Sequence, residues 1–232
     1  MRNALITGGS RGIGYAIAGE LDRRGWGLFL VGESEERIGA AAKTLRNTIG
    51  SVAVDLGGGE TAAETVSTNF RHMAASLDLL VLNAGIFIEE ALAEVNASTF
   101  ERNMAVNLNA NILLVKHLLS SLRGGRNPRI ILIGSTAAYE PYPLVPTYGV
   151  AKWALRGFAT NLRRELIPER IGVTLLSPGG TLTDMWAGEE LEPNRLLEPS
   201  DIALLVATIT ELSEQAVVDE LVIRPMLGDI HE

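Results

Sequence analysis

The sequence predicts one α/β domain over residues 1–232, with a doubly wound, seven-stranded parallel sheet carrying helices on both faces. Three observations predict it. Short aliphatic and β-branched runs alternate with longer segments of helical periodicity. Several runs, Leu79-Leu80-Val81-Leu82 and Ile130-Ile131-Leu132-Ile133 among them, are apolar throughout, as strands must be when helices cover both faces of their sheet. A chain of 232 residues also suits a single core of this kind.

In order, a strand is expected near 3–7, running into a glycine-rich turn and a helix over 12–24. Strands near 27–31 and 51–54 are each followed by a helical segment, over 34–47 and 60–75. The uniformly apolar strands near 78–82 and 128–134 belong in the centre of the sheet and lead to helices over 99–123 and 147–167. A strand near 171–176, a helix over 199–212 and a strand near 217–223 complete the pattern. No linker or repeat divides the chain, and Gly57-Gly58-Gly59 is long enough only for a turn. The helix over 99–123 is apolar nearly all round, from Met104 and Val106 to Leu119 and Leu122, which calls for cover on a second side. Its successor over 147–167 carries Trp153, Leu155 and Phe158, so these two helices are expected to join subunits of a homodimer or homotetramer.

Composition excludes several function classes. Hydrophobic residues make up 47% and charged residues 21%, which fits a folded globular chain rather than a disordered one. With no cysteine there is no disulfide, thiolate metal site or cysteine nucleophile. His72, His117 and His231 are scattered, without metal-ligand spacing, so no metal is expected. No apolar run is long enough for a membrane span and Met1-Arg2 leads straight into a strand, which gives a cytoplasmic expectation with no membrane partner. The formal net charge of -8 would repel phosphate backbones, so no nucleic-acid partner is expected.

Between the first strand and its helix lies Thr7-Gly8-Gly9-Ser10-Arg11-Gly12-Ile13-Gly14. Glycines let the backbone turn sharply and approach a pyrophosphate, while the free N–H groups and dipole of the helix start attract its charge. The glycines follow Gly-x-x-x-Gly-x-Gly rather than the Gly-x-Gly-x-x-Gly of the general Rossmann fingerprint, but their place between strand and helix points to a dinucleotide site in a Rossmann-like fold.

Tyr148 and Lys152 stand four residues apart, on one face of one helix, thirteen and seventeen residues beyond Ser135. A phenol titrates near pH 10, so bringing it to about 7 needs roughly 4 kcal/mol of preference for the phenolate. An ammonium about 5 Å away supplies roughly 3 kcal/mol at an effective dielectric of 20 and under 1 in water. The pair is therefore expected to act only in a sheltered cleft, with cofactor charge contributing, Tyr148 exchanging a proton with a substrate oxygen. Tyr142 and Tyr139 have Pro146 and Pro143 at the lysine position, so they are expected to line the substrate pocket with Leu144 instead.

With these residues in order, the chain resembles a short-chain dehydrogenase/reductase of the compact, single-domain subfamily over its whole length. The motifs that carry the resemblance are Thr7 to Gly14, Asp55, Asn83-Ala84-Gly85, Asn107, Ser135, Tyr148 with Lys152, and Pro178-Gly179 followed by Thr183. The resemblance implies a catalytic set of Asn107, Ser135, Tyr148 and Lys152. Ser135 would hold the substrate carbonyl, Lys152 would also bind the nicotinamide ribose, and Asn107 would hold a water that relays protons. It implies cofactor contacts from Gly8, Ser10, Arg11, Gly12, Ile13, Gly14, Glu33, Asp55, Leu56, Asn83, Ala84, Gly85, Tyr148, Lys152, Pro178, Gly179, Thr181 and Thr183. Asp55 and Leu56 would hold the adenine, Asn83 would steady the central strands, and Thr183 would bond the nicotinamide carboxamide or the pyrophosphate.

Two residues disagree over the dinucleotide. Arg11 could meet the 2′-phosphate of NADP, whereas Glu33, nineteen residues beyond Gly14, is placed to bind the free ribose diol of NAD. Gly32 occupies the place where NAD-preferring relatives resemble one another in having aspartate, so NADP is preferred and NAD stays open. The segment from Met185 to Arg195 sets Met185, Trp186 and Leu191 among Glu189, Glu190 and Glu192, and reads as a short substrate lid over about 183–198. The function implied is hydride transfer between a nicotinamide cofactor and a small carbonyl or alcohol, most simply NADPH-dependent reduction of a ketone or 3-oxoacyl thioester. An NAD-dependent dehydrogenase of a hydroxy compound and a non-catalytic dinucleotide sensor are the alternatives.

Overall fold

The computed structural model describes residues 1–186, 188, 192 and 194–229. Seven strands form, Asn3–Thr7 (β1), Gly27–Gly32 (β2), Thr48–Ala53 (β3), Leu79–Leu82 (β4), Arg129–Ile133 (β5), Gly172–Pro178 (β6) and Glu220–Ile223 (β7). They pair in parallel in the order β3-β2-β1-β4-β5-β6-β7. The helices are Gly12–Arg23 (α1), Glu35–Thr44 (α2), Gly59–Met73 (α3), Ala97–Met104 (α4), Ala110–Arg123 (α5), Pro146–Leu166 (α6) and Pro199–Glu211 (α7).

Alternate residues of each central strand feed opposite cores. Leu5 and Phe29 pack with Val66, Phe70, Leu114 and Leu155 under α3, α5 and α6. Their neighbours Ile6 and Leu28 pack with Ile17, Leu21, Ile38 and Val206 under α1, α2 and α7. The chain builds outward from β1 to β3, then crosses back to place β4 on the other side of β1. Helices leave the sheet on opposite sides at that crossing, which opens a crevice beyond the carboxyl ends of β1 and β4. This is the doubly wound, Rossmann-like architecture expected from the apolar strands.

Element boundaries depart from the expected ones where side chains compete with the backbone. The Thr44 hydroxyl donates to Ala41 O at 2.7 Å and that of Thr48 to Ala42 O at 3.1 Å, so α2 stops at Thr44 rather than 47 and β3 begins at Thr48 rather than 51. Strand pairing in β7 starts at Glu220, not 217. The single helix expected over 99–123 is two α-helices separated by a π-turn at Ala105–Asn109. There the Asn107 side chain turns inward to the Ile86 backbone, and Asn111 Nδ2 donates to the Asn107 carbonyl at 2.8 Å. Among the described residues no helix is long and apolar enough to cross a membrane.

Candidate active site

A cleft of about 570 Å³ lies across the carboxyl ends of the central strands, within the size range of small-molecule sites. Its floor is the glycine turn. Gly8 and Gly12 have φ of +65° and +54°, and a Cβ on Gly8 would stand 2.7 Å from Asn83 Nδ2, so the turn needs glycine for both conformation and room. Arg11, the N-cap of α1, offers no side-chain hydrogen bond to the first turn, whose N–H groups therefore face the cleft. Asn83 ties β1 to β4: its backbone N–H and that of Ala84 donate to Thr7 Oγ1 at 2.9 Å, and its side-chain amide donates to Thr7 O at 2.9 Å.

Gly8, Ser10, Arg11, Gly12, Ile13, Glu33, Asp55, Leu56, Asn83, Ala84, Gly85, Asn107, Tyr148, Lys152, Pro178, Gly179, Thr181 and Thr183 all line this cleft. Gly14 does not, because it faces inward, where an added Cβ would overlap the Gly8 carbonyl and stand 2.6 Å from Asn83 Nδ2. The missing Cβ allows close packing of α1 under the turn. Gly14→Ala is expected to destabilise the protein by about 3 kcal/mol, whereas Gly19→Ala in the same helix, with only the distant tip of Arg23 nearby, is expected to add about 0.5 kcal/mol. Urea denaturation of the two variants checks the contrast.

At the end of the cleft next to β2 and β3 the structure assembles a charge cluster that sequence reasoning missed. Arg102 of α4 donates to both Asp55 carboxylate oxygens at 2.8 Å and lies 3.7 Å from Glu33 Oε1. Asp55 also caps the short turn Leu56–Gly58, accepting from Gly57 N at 2.8 Å. Burial alone would raise the Asp55 carboxyl, but the Arg102 hydrogen bond, the Gly57 N–H and the Arg102 charge outweigh it and hold the group below its ordinary value. Arg37 lines the same wall and makes no ion pair among the described residues, while Arg11 is held by Asp184 at 2.7 Å.

At the opposite end, Tyr148 and Lys152 come together on the first turns of α6. Lys152 is buried, with Nζ 5.5 Å from the Tyr148 ring centroid and donating to Ile133 O at 3.3 Å. Tyr148 hydrogen-bonds Ser135. Ser135 directly follows the wall residues Ile133 and Gly134, and its hydroxyl also accepts from Ala137 N at 3.1 Å, capping the short turn that follows β5. From the chain's own groups alone the phenol is not lowered. Burial raises Tyr148 above an ordinary phenol against a smaller downward pull from Ser135, and burial lowers Lys152 to about 8. Desolvation penalises phenolate and ammonium alike.

Asn107 is fully buried, 21 residues from Ile86 yet paired to both its backbone groups: Oδ1 accepts from Ile86 N at 3.2 Å and Nδ2 donates to Ile86 O at 2.9 Å. A chain of buried polar groups continues from it through Asn103 and Thr147 to the Glu90 carboxylate, which accepts from Thr147 Oγ1 at 2.8 Å. No sequence spacing announces Glu90. The Phe87 ring meets that of Tyr148 edge-on at 5.0 Å and forms part of the wall with Trp186.

The expected lid has a closed stem. Leu182 N donates to Leu197 O at 2.8 Å and Leu197 N to Gly180 O at 2.9 Å, so the segment between leaves and returns at one point. Trp186 faces the cleft as expected; Glu189, Glu190, Leu191 and the Met185 side chain lie outside the described residues. Tyr139, Tyr142 and Leu144 do not line the cleft. The Tyr139 hydroxyl donates to Glu220 at 2.9 Å, under Arg156, and that of Tyr142 donates to Asp229 and also pairs with Thr136 Oγ1 at 3.0 Å. Outside the cleft Glu60, Glu64 and His117 bring possible metal ligands within 4.8 Å of one another, with Lys116 already donating to Glu60.

The family model for short chain dehydrogenases matches residues 2–194. The chain is 29% identical over 216 residues to the 3-oxoacyl-[acyl-carrier-protein] reductase of Aquifex aeolicus, covering 88% of this chain and 87% of that one. It superposes with a TM-score of 0.90 on an alcohol dehydrogenase of the archaeon Thermococcus sibiricus solved with 5-hydroxy-NADP, at 28% identity and 97% coverage of both chains. For the L-sorbose reductase of Gluconobacter frateurii, solved with NADPH and L-sorbose, the TM-score is 0.89 at 26% identity, covering 97% of this chain and 95% of that one. Glycine turn, paired Asn83 and converging Tyr148 and Lys152 all agree with these matches: the chain belongs to the short-chain dehydrogenase family.

Proposed function

We propose that this protein reduces a carbonyl to a secondary alcohol with NADPH, on a small ketone or a 3-oxoacyl thioester. One observation carries the reading: Tyr148, with Ser135 bonded to its hydroxyl, and Lys152 meet in the same cleft as the glycine turn. A protonated phenol can give a proton to a developing alkoxide; alcohol oxidation would need the phenolate instead.

The cleft fits a dinucleotide, since its glycine cradle leaves no space for a Cβ at Gly8 and presents the uncapped start of α1. When bound, the dihydronicotinamide would supply the hydride. Ser135 would orient the carbonyl oxygen and Tyr148 would donate to it. Lys152, charged below about pH 8, would favour return of Tyr148 to its donor state through the ribose hydroxyls. Asn107, locked to Ile86, would fix the backbone of the π-turn that faces Lys152. Pro178, Gly179, Thr181 and Thr183 would hold the carboxamide side, and Trp186 and Phe87 give the substrate mouth an apolar character. The names of the Aquifex aeolicus and Gluconobacter frateurii relatives support carbonyl reduction as the class.

For the cofactor we favour NADPH because Arg37 is a cation in the wall without a carboxylate partner among the described residues. Arg37→Ala is expected to weaken NADPH about tenfold while leaving NADH nearly unchanged, checked by equilibrium titration of both. The exposed apolar side chains Ile112 of α5 and Val150 and Trp153 of α6 support assembly of a homodimer or homotetramer through these helices. Loss of absorbance at 340 nm with NADPH and a panel of ketones and 3-oxoacyl thioesters tests the reading. Clear NADPH binding with no turnover of any of them would favour the sensor, and turnover only of hydroxy compounds with NAD would favour the dehydrogenase.

A further inference from the structure

We propose that Arg102 tunes the dinucleotide preference of this cleft alongside Arg37, by neutralising Glu33 and Asp55 together so that a 2′-phosphate is admitted beside a carboxylate that would otherwise repel it. The inference rests on the cofactor reading above and deepens it. Glu33 directly follows β2 and Asp55 follows β3, so parallel pairing of these neighbouring strands sets the two carboxylates on the same wall. Arg102 arrives from α4, beyond β4, and reaches both: 2.8 Å to each Asp55 oxygen, 3.7 Å to Glu33. Room is made for it, because a Cβ on Gly57 would overlap the guanidinium.

The charge count follows from these contacts. Glu33 and Asp55 against Arg102 and Arg37 sum to zero, and Arg11 with Asp184 adds nothing further. Without Arg102 the same wall carries one net negative charge, facing a phosphate that brings between one and two more. All three groups are partly exposed, with side chains 38% exposed for Arg102, 69% for Glu33 and 51% for Asp55, so the bridges themselves add little to folding. Their consequence lies in the field felt by a dianion, which is also why it must weaken with salt.

The experiment is equilibrium titration of NADPH and NADH, followed by their own fluorescence, on the wild type and on Arg102→Met, Arg102→Lys and Arg102→Met with Glu33→Gln. Arg102→Met should raise the Kd for NADPH about tenfold at low salt and that for NADH by less than about twofold. Arg102→Lys should keep most of the wild-type ratio, and adding Glu33→Gln to Arg102→Met should restore most of it. An equal loss for both nucleotides, or no recovery in the double variant, would assign Arg102 a purely structural part and overturn the proposal. A wild type that binds neither nucleotide would overturn the cofactor reading and this proposal with it. Normal wild-type binding with an unmoved ratio in Arg102→Met would overturn the assignment of Arg102 alone.

Discussion

Tyr148→Phe is expected to lower kcat for ketone reduction about a thousandfold while leaving NADPH affinity within about twofold. The hydroxyl is the only group removed. The ring that meets Phe87 edge-on at 5.0 Å is retained, as is the apolar surface beside Lys152, so the cleft should keep its shape. In the proposed reaction the lost group would be the donor to the substrate oxygen, and neither neighbouring phenol is free to replace it: Tyr139 is engaged by Glu220 and Tyr142 by Asp229 and Thr136. Single-turnover absorbance at 340 nm, paired with a binding titration, separates the two effects. A near-native rate would remove Tyr148 from the chemistry.

Lys152→Met should combine an equally severe loss of turnover with a gain in stability. Burial lowers the Lys152 ammonium from 10.5 to about 8, and at 1.36 kcal/mol per unit this corresponds to about 3 kcal/mol against the charged form in the folded state. The sign follows from proton counts. Between about pH 8 and 10.5 the unfolded chain binds the proton more tightly than the folded one, so wild-type stability from this group rises with pH across that window and carries its full penalty below it. The methionine variant has no such term. It should be more stable than wild type at pH 7, by up to about 3 kcal/mol, with the difference fading toward pH 10.5. Urea denaturation at pH 7 and pH 10 measures both. Equal or lower stability of the variant at pH 7 would mean that the ammonium is better solvated than its buried position implies.

What could be read along the chain was whatever a few neighbouring residues decide. The glycine turn sits between a strand and a helix that follow each other directly, so its cradle was readable, including the conformational need at Gly8 and Gly12. The close packing at Gly14 was not readable, because spacing does not say which way a glycine faces. The helix over 99–123 was read whole because nothing in its apolar pattern announces the π-turn at Ala105–Asn109 or the pairing of the Asn107 side chain with Ile86. Tyr142 was read as pocket lining for want of any local sign of Asp229, 87 residues away.

The charge cluster is the clearest case of distance. From sequence, Arg11 and Glu33 stood alone in conflict over the dinucleotide. The strand order sets β1 between β2 and β4, and so brings α4 and its Arg102 across to Asp55 and Glu33, while Arg11 is taken by Asp184, 173 residues on.

By itself the sequence determined the doubly wound class, the dinucleotide turn and the pairing of a phenol with an amine, because periodicity and four-residue helical spacing are local and survive any packing. Only the tertiary structure decided the direction of the Tyr148 and Lys152 titrations and the partners of Glu33, Asp55 and Arg11. The reason is physical: desolvation depends on what covers a group, and Coulomb pairing depends on distance in space, and neither quantity exists until strands far apart in the chain lie side by side.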